Sequence, residues 1–133
     1  MQHERSEWKV CDRPSDLRAS FHCAFAGLAE SWRSQRNVRI HLGFVLAVTA
    51  LGVYLRLAAS QWAILALTYT VVLVAELLNT ALEALTDLFS PSYHPLARRA
   101  KDVAAGAVLV AALGAVAVGL LTLGPPLLRR LIR

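Results

Sequence analysis

Apolar residues at Leu17, Phe21, Ala24, Phe25, Leu28 and Trp32 recur at spacings of three and four, which predicts an amphipathic helix over about 14–34. Its other face carries Arg18, His22 and Glu30. Such a helix suits the cytoplasmic surface of a membrane, and the same pattern would serve a helix packed on a bundle. Beyond Arg39 the periodicity gives way to solid apolar blocks: sixteen uncharged residues from Ile40 to Leu55, nineteen from Leu57 to Ala75, and 26 from Val103 to Leu128. Blocks of this length predict membrane-spanning helices over about 37–56, 60–88 and 97–123. Pro91 and Pro95 in "FSPSYHP" break the chain between the second and third spans, and Gly124, Pro125 and Pro126 are expected to stop the third. The expected organisation is a polar tail over 1–13, a membrane domain over 14–123 and a basic tail over 124–133.

Composition agrees with this all-α, integral membrane reading, since 56% of the 133 residues are apolar. Seven of the 14 Lys and Arg fall in the first 39 residues, with no apolar stretch early enough for a signal peptide. The loop holding Arg98, Arg99 and Lys101 is also basic, so both regions are expected on the cytoplasmic side of the plasma membrane. Arg129, Arg130 and Arg133 would then lie outside, against the rule. The net charge of +5 fits anchoring to anionic lipid and not nucleic-acid binding, because no basic motif with interleaved aromatics is present. Cys11 and Cys23 are read as incidental.

One stretch does not fit a plain apolar helix. In "ELLNTALEALTD" Glu76, Asn79, Glu83 and Asp87 follow at intervals of three, four and four, so one helical face holds them all over a rise of about 16 Å. Lipid would not tolerate that face; it must meet protein, water or a cation. Carboxylates with an amide are hard oxygen ligands suited to magnesium, and Arg98, Arg99 and Lys101 can neutralise phosphates near the same end. Those are the parts of a phosphoryl-transfer site. An acidic stripe also lines ion and proton paths, so carriage remains chemically open. His22, His41 and His94 lack zinc-ligand spacing, and neither GxxxxGK[ST] nor GxGxxG occurs.

Four pieces in order, "SFHCAFAGL" with "QRNVRIH", "ELLNTALEALTD", "YHPLARRAKD" and "AAGAVLV", resemble the small bacterial membrane lipid kinases, the diacylglycerol kinase and undecaprenol kinase family. The likeness covers roughly residues 17–123. It implies a homotrimer whose subunits each have an N-terminal surface helix and three transmembrane helices, with active sites shared between neighbours. It further implies transfer of the γ-phosphoryl group of ATP to a lipid hydroxyl, with magnesium. Carried over, Glu76 resembles the catalytic base with Asn79 positioning beside it, Glu83 a magnesium ligand, and Asp87 a support of the nucleotide end. Lys101 matches a residue that touches ATP phosphates, and Asp102 one that holds the local network. Gln35 stands where the family often has a metal-ligating Glu, which should weaken binding of metal alone. The "NxRIH" form tilts the expected substrate slightly to undecaprenol over diacylglycerol. A small membrane carrier or scaffold without ATP chemistry is the alternative.

Overall fold

A computed structural model describes residues 16–90 and 92–132, and every described element is helical: α1 Leu17–Ser34, α2 Arg36–Leu55, α3 Ala59–Phe89 and α4 Pro95–Leu131. The tail expected over 1–13, Cys11, Pro91 and Arg133 lie outside the described residues. The chain divides into two units that part between Arg36 and Asn37.

In the first unit, Asp16 caps α1 by accepting a hydrogen bond from the Ala19 N–H at 2.8 Å. The helix ends at Gln35, whose backbone turns extended while its N–H donates to the Ser31 carbonyl at 2.9 Å. No residue of α1 is buried, and Leu17, Phe21, Phe25, Leu28 and Trp32 are all exposed, as an apolar face meant for another surface requires.

In the second unit, α2, α3 and α4 are each long and apolar enough to cross a membrane. Large apolar side chains point outward along them, among them Leu46, Leu67 and Leu121, at 70%, 67% and 77% exposure. In water that surface would be unstable; in hydrocarbon it is the solvated face. The buried cluster is small and holds Leu55, Leu57, Leu65 and Leu123. It gathers where α2 turns into α3. There Arg56 adopts φ 54°, its N–H donates to the Val53 carbonyl, and the Leu57 N–H reaches back to Gly52. This is a Schellman closure with arginine where glycine is usual. Gly52 has its own reason: a Cβ there would stand 2.9 Å from the Trp62 ring.

The expected stop of the third span at Gly124–Pro126 is corrected, because α4 continues helically through Pro125 and Pro126 to Leu131. A proline lacks the N–H that would bond four residues back, so Pro126 leaves the Thr122 carbonyl without its helical donor. Gln61 supplies one from α3, its Nε2 donating to the Thr122 carbonyl at 3.0 Å. The extended end is tied down a second time, since Arg130 donates to the Tyr54 carbonyl at 2.9 Å and lies over the Tyr54 ring at 4.2 Å.

Candidate active site

The acidic stripe lies on α3, where it packs against α4. Burial falls steadily along it: Glu76 is 1% exposed and Asn79 6%, Glu83 is half-buried, and Asp87 is exposed. Asn79 Nδ2 donates to Glu83 Oε1 at 3.2 Å, one turn on. That bond assigns the amide nitrogen to Glu83 and leaves Asn79 Oδ1 facing elsewhere. Among the described residues, the buried side-chain polar atoms without a partner are Glu76 Oε2, Asn79 Oδ1 and the Tyr69 hydroxyl. All three belong to α3 and to one face of it, at spacings of seven and three.

Buried polar atoms without partners are costly, at about 1–3 kcal/mol each, and a protein that retains two in adjacent turns holds them for something that binds. An unpaired carboxylate oxygen can take a proton, and an unpaired amide oxygen can accept a hydrogen bond or ligate a hard cation.

Farther out, Lys101 Nζ pairs with Asp87 Oδ1 and ties α4 to α3. Arg98 pairs with Asp102 one turn on, at 3.7 Å. Ala104 on α4 is buried, a small side chain that lets the helices approach at the turn beyond Lys101. Asp87, Lys101, Arg98 and Asp102 border a cavity of about 450 Å³ that also has Tyr93, His94 and Ser92 in its wall. His94 caps α4, its Nδ1 accepting from the Leu96 N–H at 3.2 Å, with Pro95 as the first helical residue. The cavity therefore opens at a helix N-terminus, and its charged wall pairs Lys101 and Arg98 with Asp87 and Asp102.

Of the expected site residues, Glu76, Asn79, Glu83, Asp87, Lys101 and Asp102 belong to the second unit; the first four follow one another along one face of α3, and Asp87, Lys101 and Asp102 line the cavity. Gln35 belongs to the first unit, where it serves as the C-cap of α1. Among the described residues no three His, Cys, Asp or Glu side chains gather as a metal cage. Glu83, half-buried, offers a hard oxygen donor of the kind magnesium takes when waters and phosphates supply its other ligands. Sequence reasoning missed Tyr69 as anything but an aromatic of the span, and His94 as a cap. The dipeptide "HP" before an apolar helix was the available signal for the latter.

Residues 22–123 match the family described as prokaryotic diacylglycerol kinase. The chain belongs to that family. It is thereby a membrane lipid kinase, with ATP as co-substrate. A diacylglycerol kinase of Synechocystis sp. is 46% identical over 129 residues, 96% of this chain and 72% of the relative. An undecaprenol kinase of Bacillus subtilis is 41% identical over 108 residues, 81% of this chain and 88% of the relative. A diacylglycerol kinase of Escherichia coli is 32% identical over 93 residues, 70% and 76% of the two chains. All three are named as kinases, so the carrier or scaffold alternative has no counterpart among them.

Proposed function

We propose that this chain transfers the γ-phosphoryl group of ATP to the primary hydroxyl of a membrane lipid, with Glu76 as the base that takes the hydroxyl proton. The observation that carries this reading is the pair of buried, unpartnered oxygens of Glu76 and Asn79, on a helix face that leads into a cavity bordered by Lys101 and Arg98. The lipid hydroxyl meets Glu76 from the bilayer, and the nucleotide enters from the polar end. The hydroxyl gives its proton to the Glu76 carboxylate while its oxygen bonds to the γ-phosphorus, and the bond from that phosphorus to the bridging oxygen breaks to release ADP. Asn79 accepts a hydrogen bond beside the base, Lys101 touches the phosphates, and Asp87 and Asp102 hold the cations that border them. Magnesium, when bound, would neutralise phosphate charge, and Glu83 would hold it.

By the charge bias of its loops the chain is oriented with α1 and the α3–α4 connection on the cytoplasmic side, where ATP is found. By the family likeness it works as a homotrimer with shared sites. The relatives carry two substrate names, so the acceptor is a lipid alcohol of either kind, undecaprenol or diacylglycerol. The test is ATP consumption by purified protein in mixed micelles with magnesium, offering each lipid separately and resolving the phosphorylated product by mass. Product from either lipid supports the reading, and intact protein that makes none from both sinks it.

A further inference from the structure

The end of the second unit away from Glu76 carries arginines that run against the usual charge bias, Arg129 and Arg130 of α4, and beside them Arg56 at the α2–α3 turn. All three are exposed. Arg130 is held in place, since its Nη1 donates to the Tyr54 carbonyl at 2.9 Å and its guanidinium lies 4.2 Å from the centre of the Tyr54 ring. Arg56 follows Tyr54 by two residues, so at most about 7 Å separates their Cα atoms. Arg129 Nε donates to the Pro125 carbonyl at 3.3 Å. A guanidinium has five N–H donors, so Arg129 and Arg130 both keep donors for a ligand.

Nothing of opposite charge stands close. Among the described residues of the second unit the acidic ones are Glu76, Glu83, Asp87 and Asp102. Along α3 the rise from Ala59 to Glu76 is about 25 Å, and along α4 that from Asp102 to Arg129 is about 40 Å. From Val103, where the uncharged run of α4 begins, to Arg129 the rise is about 39 Å, against a hydrocarbon core of about 30 Å. The arginines therefore stand at the headgroup level of the far leaflet. Leu128, Leu131 and Ile132, at spacings of three and four, are exposed on the same last turns of α4 and offer acyl chains an apolar strip. Arg56 adds a further sign, because it occupies a left-handed position, φ 54°, that glycine would fill without strain.

We propose that Arg56, Arg129 and Arg130 form a binding site for the phosphate of an anionic phospholipid in the leaflet away from Glu76. Guanidinium groups take phosphate oxygens in pairs, and the ties to Tyr54 and Pro125 hold two of them ready. A zwitterionic lipid brings an ammonium as well, for which this end has no carboxylate. Phosphatidylglycerol brings the negative charge alone. The site stands apart from the acidic stripe and does not depend on the kinase reading.

The test uses the full chain carrying Trp8→Phe and Trp32→Phe, which leaves Trp62 as its only tryptophan. Trp62 lies against Gly52 at the same end, so its fluorescence reports lipids that settle there. Nanodiscs of phosphatidylcholine receive a minor share of phosphatidylglycerol or of phosphatidylcholine, either one brominated near the top of its acyl chains. Brominated phosphatidylglycerol is expected to quench Trp62 about threefold more strongly, and salt should weaken the difference. In Arg56→Gly/Arg129→Gln the two lipids should quench alike. Arg56→Gly by itself suits the left-handed backbone, so its unfolding temperature should hold or rise while the preference falls, which separates a lost site from a damaged fold. Equal quenching by the two lipids before the arginines are changed, or a preference that survives in the double variant, would overturn the proposal.

Discussion

Asn79 donates its amide nitrogen to Glu83 at 3.2 Å, and this bond orients the buried amide so that its oxygen has no partner within the chain. The residue thus spends its donor on structure and withholds its acceptor. Glu83, half-buried, can be solvated if the donor is lost.

Asn79→Leu separates the two roles. It removes an unpaired buried oxygen and fills the same space with hydrocarbon, so thermal stability in detergent should hold or rise slightly. Phosphoryl transfer should fall by about a hundredfold, as for loss of one preorganised polar contact at a reaction centre. Parallel loss of stability and activity would show that the amide is a structural group only.

Glu76→Gln keeps shape and hydrogen-bonding capacity while removing the base. Loss of transfer by roughly 10²–10⁴-fold is expected, with the helical signal and unfolding temperature retained. Turnover near that of the wild type would exclude Glu76 from proton removal.

Lys101 is 36% exposed in its pair with Asp87, itself 67% exposed, so the pair contributes little to folding, less than about 1 kcal/mol. Lys101→Met is therefore expected to leave unfolding almost unmoved while raising the KM for ATP about tenfold or more. A change confined to stability would place the lysine outside the nucleotide site.

The stripe itself was legible because carboxylates in an apolar run are expensive, and their spacing alone puts Glu76, Asn79, Glu83 and Asp87 on one face. The order of the stripe, Glu76 innermost and Asp87 outermost, was legible as well; the near-complete burial of Glu76 was not, since it depends on how closely α4 approaches. Tyr69 was hidden for a related reason: aromatics are common in spanning helices, and only the packing reveals that its hydroxyl lacks a partner. The helix stop at Pro125 and Pro126 was misread because a local rule was applied without its remedy, a donor from another helix.

That remedy can be tested directly. Gln61→Leu removes the donor to the Thr122 carbonyl and should destabilise the protein by about 1–3 kcal/mol, the cost of a buried acceptor left unpaired. Pro126→Ala restores an N–H four residues beyond Thr122 and gives that carbonyl its ordinary helical donor. In the Pro126→Ala background, Gln61→Leu should then cost appreciably less. A double-mutant cycle on unfolding in detergent measures the difference, and full additivity would show that Gln61 acts independently of the proline. Part of the single-variant loss should persist even so, because Gln61 Oε1 also accepts from the Ala58 N–H at 3.0 Å and caps the start of α3. Gln61→Glu keeps that acceptor but loses the donor, so it isolates the contact with Thr122 from the cap.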